Sequence, residues 1–319
     1  MNIKSGLGIL NDELIGSLKL AARLNPLASE YQFKIAEIFL SQNDLSLAKR
    51  KIIDALLLEP TNYFYHLKLA NVFASMNEAG SAETEFLKAL KLDPMNFLSH
   101  YEIAKFYSLN ADKFGQQRAR AEFSRAISLW EKGVGVDIFE EIYSLYHGDY
   151  ALLAGIIPNS AKLRFSFAQL LRAKKKYMES MREYKKSIIL ARKDNDRDTQ
   201  ADSYSWIGVI YSFEKKQPAE ALPYLKQAIQ LSPRNAVIAH NLGDCYFKLK
   251  QYKEASESFE AALEIDPTRS IDMLCLGYTY EMLGLKNKAK IFFEDAIRSA
   301  SGDDAETIKK EARARLNKI

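Results

Sequence analysis

Four histidines and two cysteines carry most of the chemistry open to this chain: His66, His100, His147, His240, Cys245 and Cys275. A histidine near neutral pH works as a general acid or base beside a suitable nucleophile, and with cysteine at close spacing it binds zinc. The spacings here do neither. The cysteines stand 30 residues apart with no CxxC. His66 and His100 are 34 residues apart and share one site of a repeating pattern, so packing accounts for both. His147 precedes Gly148 and Asp149, a turn composition. No HExxH, GxSxG or GxxxxGK[ST] occurs, and Gly6-Leu7-Gly8 is too short for a phosphate loop. The expectation is a chain that is not an enzyme and uses no metal or cofactor.

Composition sets the outer limits. A chain of 319 residues, 47% apolar, buries a large core and is not disordered. Only 14 Gly and 8 Pro argue against a turn-rich β fold. The balance of 45 basic and 41 acidic residues is too mild to demand nucleic acid. No apolar run reaches the roughly 18 residues of a membrane span, and the first residues lack a clear signal-peptide core. A cytoplasmic location is the default expectation.

The elements that would hold any site repeat along the chain. Pro26, Pro60 and Pro94 are spaced by 34, as are Pro233 and Pro267. Proline cannot continue a helix and disfavours helical geometry just before it, so it ends one unit each time. Upstream stand small-large-small triplets: Ala48/Ile52/Ala55, Ala82/Phe86/Ala89, Ala221/Leu225/Ala228 and Ala255/Phe259/Ala262. Spacings of four and three place each triplet on one helical face, where small residues admit a neighbouring helix. A second signature opens each unit: "IAEIF" from Ile35, "LANVF" from Leu69, "IAKFY" from Ile103, "IGVIY" from Ile207, "LGDCY" from Leu242 and "LGYTY" from Leu276.

This pattern resembles the tetratricopeptide repeat, a helix–turn–helix of about 34 residues. His66, His100 and Tyr204 stand where the family usually has tryptophan. The resemblance implies an all-α, right-handed superhelical solenoid. Seven units begin near Ser29, Tyr63, Phe97, Ala161, Ala201, Ala236 and Ser270. The expected order is a half-repeat or cap over 1–28, three repeats over 29–130, an irregular helical joint over 131–160, four repeats over 161–302 with the first degenerate, and a capping helix over 303–319. The opening half-unit is either a capping helix or the continuation of a longer chain. Residues 191–200 read as a polar connection longer than a turn, and Pro223 as a bend in its helix.

Such an array offers a groove lined by its first helices. Residues three before, one after and four after each small site share a stripe. From that stripe the candidate partner-binding residues are Phe33, Glu37, Asn71, Tyr101, Lys105, Phe165, Gln169, Arg172, His240, Asp244, Phe247, Tyr278 and Glu281. For each, packing between repeats is the competing role. Some family members clamp a terminal carboxylate with Lys, Asn and Arg on this stripe. Only Asn71 and Lys105 suggest that here, and Glu37 and Asp244 oppose it. The segment 172–193 has nine Lys or Arg against two Glu. It reads as a solvated face, or else as a contact for an acidic partner or anionic membrane. The expected partner is a peptide or helix of another protein, with no nucleic acid; a regulatory nucleic-acid binder stands third.

The order of parts also resembles the soluble tail of bacterial O-antigen polymerase or ligase-like membrane proteins. "AARLNPLASEY" from Ala21 and "DYALLAGIIP" from Asp149 carry that resemblance. It implies a soluble part of a membrane-associated bacterial protein, partnered with a membrane-embedded portion of the same longer chain.

Overall fold

The computed structural model describes residues 3–130 and 138–319. Every regular element among them is helical. The chain opens with α1 (Ile3–Leu24). Antiparallel hairpins follow: α2 (Ser29–Ser41) with α3 (Leu45–Leu58), and α4 (Tyr63–Ser75) with α5 (Ala79–Leu92). In the third, α6 (Phe97–Leu109) pairs with α8 (Gln116–Trp130) across the one-turn α7 (Ala111–Phe114). Two short helices come next, α9 (Ile138–Leu145) and α10 (Tyr150–Ile156). Four more hairpins join α11 (Ala161–Ala173) to α12 (Tyr177–Lys193), α13 (Arg197–Val209) to α14 (Pro218–Leu231), α15 (Ala236–Lys248) to α16 (Tyr252–Ile265), and α17 (Ser270–Met282) to α18 (Lys286–Ser299). The last helix is α19 (Ala305–Leu316).

The chain forms two compact units. The first holds residues 1–138 and 151–158; the second holds 139–150 and 159–319. So α10 belongs with the first unit and most of α9 with the second.

Local chemistry starts and stops each helix. Asn62, Asn96 and Asn235, each two residues after a unit-ending proline, accept backbone N–H groups of the helices they precede. Such a cap is worth about 1 kcal/mol. First helices end in a left-handed residue, Asn43, Asn77, Lys175 or Lys250, each with φ 60. The following N–H then reaches a carbonyl five residues back, as Asp44 does to Phe39 at 2.9 Å. That closure satisfies an otherwise orphaned carbonyl.

The triplets pack as their spacing requires. Ala82, Ala89, Ala255 and Ala262 are fully buried, and Phe86, Phe123, Phe259 and Phe293 are at most 1% exposed. Each phenylalanine contributes roughly 1.5–3 kcal/mol by burial. The glycines opposite exist for this contact. A Cβ on Gly243 would lie 2.8 Å from the Phe259 ring, and one on Gly277 would lie 2.5 Å from Phe293.

Three local features differ from the sequence reading. The connection over 191–200 is only residues 194–196, because α12 runs on to Lys193 and α13 starts early at Arg197. Asp196 drives that early start, accepting from the Thr199 N–H at 3.0 Å and its hydroxyl at 2.7 Å. The "IGVIY" helix ends in one wide turn over Ile210–Glu214, where Lys215 N–H donates to the Ile210 carbonyl five residues back. Pro223 is exposed and lies inside a helix that continues from Pro218 to Leu231.

Candidate binding surface

Within each unit the stack has an inner side. First helices touch their counterparts: α4 meets α6, and in the second unit α11, α13, α15, α17 and α19 meet in succession. Second helices of adjacent hairpins approach each other less closely among the described residues. First-helix faces therefore line the concave side.

In the first unit, Asn71 and Lys105 line a cleft of about 550 Å³ between α4 and α6, together with Glu102 and Phe106. Lys105 pairs with Glu102 at 3.7 Å and lies 5.2 Å from the Tyr101 ring centroid. Glu37 is exposed. Phe33 and Tyr101 sit deeper than a groove lining. Phe33 is 6% exposed and stacks on Tyr65 at 4.6 Å; Tyr101 is 7% exposed and meets Phe123 edge-on at 5.9 Å. Both fill seams between helices.

In the second unit, Phe165 is half-buried against Tyr184 at 5.5 Å. Gln169 accepts from Arg172 Nε at 3.4 Å, and the Arg172 guanidinium stacks 4.1 Å from the Trp206 ring. His240 contacts Asp272 of the next repeat at 2.5 Å. Asp244 pairs with Lys248 at 2.8 Å, and Phe247 meets Tyr252 edge-on at 5.4 Å. At the far end the candidates are already engaged by α19: Tyr278 donates to Glu311 at 3.0 Å, and Arg315 pairs with Glu281 at 3.4 Å.

In three hairpins the position usually held by tryptophan carries a side chain that reaches an acid of the second helix. His66 Nδ1 lies 2.6 Å from Glu85 Oε2, and its Nε2 lies 3.0 Å from the Pro60 carbonyl. His100 repeats this with Glu122 at 2.6 Å and Pro94 at 3.0 Å. One hairpin later Arg164 pairs with Glu183 at 2.9 Å, where Lys186 and Tyr150 also reach the same carboxylate. At His100 a carbonyl and a carboxylate both accept, which a doubly protonated imidazole satisfies. Burial alone would push His100 down; hydrogen bonds to Glu122 and the Pro94 carbonyl outweigh it and raise the ring above its ordinary value. These pairs are structural. Sequence reading missed them, although the acids share one offset in the second helices.

Both thiols lie inside first helices, Cys245 in α15 and Cys275 in α17. Burial pushes Cys245 up to about 11, and burial likewise raises Cys275. His147 is an exposed turn residue with φ 51. Among the described residues no group of three or more His, Cys, Asp or Glu is arranged to hold a metal. No described helix is long and apolar enough to cross a membrane.

Residues 212–275 match the family model for the tetratricopeptide repeat. That stretch carries the tetratricopeptide repeat, and the other hairpins repeat its helix–turn–helix order. The chain is 35% identical over 79 residues to the human tetratricopeptide repeat protein 13, covering 25% of this chain and 9% of that protein. It is 30% identical over 105 residues to the Ycf37 protein of Pyropia yezoensis, covering 32% of this chain and 58% of that one. The chain thus spans less than two thirds of either relative. Among solved structures it is similar to the C-terminal part of a TPR repeat-containing protein from Cytophaga hutchinsonii, with 18% identity, a TM-score of 0.46, and coverage of 79% of this chain and 88% of that one.

Proposed function

We propose that these tetratricopeptide repeats form a non-catalytic scaffold whose first-helix faces receive a peptide or helix of another protein. The observation that carries this reading is the inner-face cleft at Asn71 and Lys105, where these polar groups are presented together with the exposed Leu109 side chain. The leucine supplies apolar area in such a groove, and the amide and ammonium orient a bound backbone. Glu102 beside Lys105 disfavours a clamp for a terminal carboxylate.

A photo-crosslinking amino acid placed at Asn71 or Val209, against one at Leu57 or Ile291 on second helices, tests the proposal. Inner-face positions should capture one predominant protein from a lysate of the source organism, and outer positions should not. Identical capture from both faces would overturn it. The second reading, a soluble tail of a polysaccharide-assembly membrane protein, is favoured by α1. Its Leu14, Leu20 and Leu24 are exposed.

A further inference from the structure

The second unit carries a positive ridge that the first does not. In the first two hairpins the turns between helices read "SQND" and "SMNE", with Asn43 and Asn77 in the left-handed position. In the second unit that position is held by Lys175, Lys216 and Lys250 in three successive hairpins, with φ 60, 54 and 60. Asparagine tolerates this conformation through local hydrogen bonds, and lysine lacks them. Each of the three lysines is exposed, so what the substitution adds is charge along one edge.

Arg172 lies at the start of that edge, one turn before Lys175. In the same unit Lys248 meets Asp244 and Arg315 meets Glu281. Arg172 meets no carboxylate among the described residues. It is held flat on Trp206 at 4.1 Å, and its Nε donates to Gln169. Beneath it lies the buried Tyr184 hydroxyl; burial raises that hydroxyl, and Arg172, close enough to interact with it, opposes the rise. A guanidinium fixed by stacking, with no carboxylate already on it, is pre-organised for bidentate contact with one.

We propose that Arg172 and the adjoining lysine ridge dock an acidic segment of a partner protein, with one Asp or Glu side chain seated on the Arg172–Trp206 stack. This rests on the groove reading above and names the chemistry of its occupant. A protein segment is favoured over a continuous phosphate chain because Arg172 offers a single seat, while Lys248 and Arg315 further along are already paired with Asp244 and Glu281.

Fluorescence polarisation of a labelled Glu-Gly repeat peptide on the full chain tests it, beside the matching Gln-Gly peptide, a single-stranded DNA and phosphatidylserine vesicles. The Glu peptide should bind and weaken with salt, and the Gln peptide should not. Arg172→Gln should weaken binding by about tenfold, with Arg172→Lys in between. The triple change Lys175→Asn, Lys216→Asn, Lys250→Asn installs the residue the first unit uses. It should keep the melting temperature and lower both affinity and salt dependence. Equal affinity in wild type and Arg172→Gln, or tighter Arg172-dependent binding of DNA or vesicles, would overturn the inference. If the Glu peptide fails while inner-face crosslinks persist, this inference falls and the groove reading stands; if the crosslinks are also lost, both fall.

Discussion

His100 reaches Glu122 at 2.6 Å through one ring nitrogen while its other nitrogen faces the Pro94 carbonyl at 3.0 Å. The folded state thus favours the protonated ring, and its titration lies above the ordinary histidine value of 6.5. The contribution to stability is complete below that ordinary value and is lost as pH rises through the higher, folded one. The first unit should therefore melt at lower temperature at pH 9 than at pH 6, and His100→Gln should flatten the difference. Thermal melts followed by circular dichroism across that range check the sign; a wild-type transition that rises with pH refutes it.

Arg164 and Glu183 test the same site with a permanent charge. Glu183 is fully buried and held below the ordinary carboxylate range: burial opposes ionisation, and Lys186, Tyr150 and Arg164 overcome it. Arg164→Leu should cost about 3–5 kcal/mol by removing the buried cation from that carboxylate and leaving it to Lys186 and Tyr150. Adding Glu183→Leu should recover much of the loss. Denaturant unfolding of the single and double variants measures the coupling, and additive losses would show that the two side chains act independently.

The repeat register was legible because proline, alanine and glycine are dictated by geometry. Pro94 stops a helix, Ala89 permits an approach, and Gly277 leaves room for Phe293, whatever the rest of the sequence does. The groove was less legible. Phe33 and Tyr101 share a helical angle with Asn71 and Lys105, yet whether a side chain at that angle faces solvent depends on the neighbouring hairpin. The histidine–glutamate pairs span 19 and 22 residues and become visible only when the hairpins are aligned on one another.

Gly243→Leu should loosen the second unit. Even a Cβ there would lie 2.8 Å from the Phe259 ring. A leucine must displace that ring, at about 1–3 kcal/mol. A lowered melting transition is expected, and an unchanged one would mean the register is misplaced.

Tyr278→Phe should act on the end of the array. Losing the hydrogen bond to Glu311 removes about 0.5–1.5 kcal/mol from the seat of α19. Hydrogen exchange should rise in α19 and stay unchanged in α15 and α16. A uniform rise across the unit would assign Tyr278 a broader packing role.

Both cysteines should resist a thiol reagent at pH 8 in the native protein and react together after unfolding. Burial pushes Cys245 up to about 11, so almost no thiolate is present. Rapid native labelling of either would show an opening of α15 or α17.

The central claim is that first-helix faces receive a protein partner. Hydrogen–deuterium exchange of the whole chain, with and without the protein captured by the inner-face crosslinker, measures this most directly. Protection concentrated in α4, α6, α13 and α15, with α5, α14 and α16 unchanged, is the predicted result. Protection confined to the second helices would contradict it.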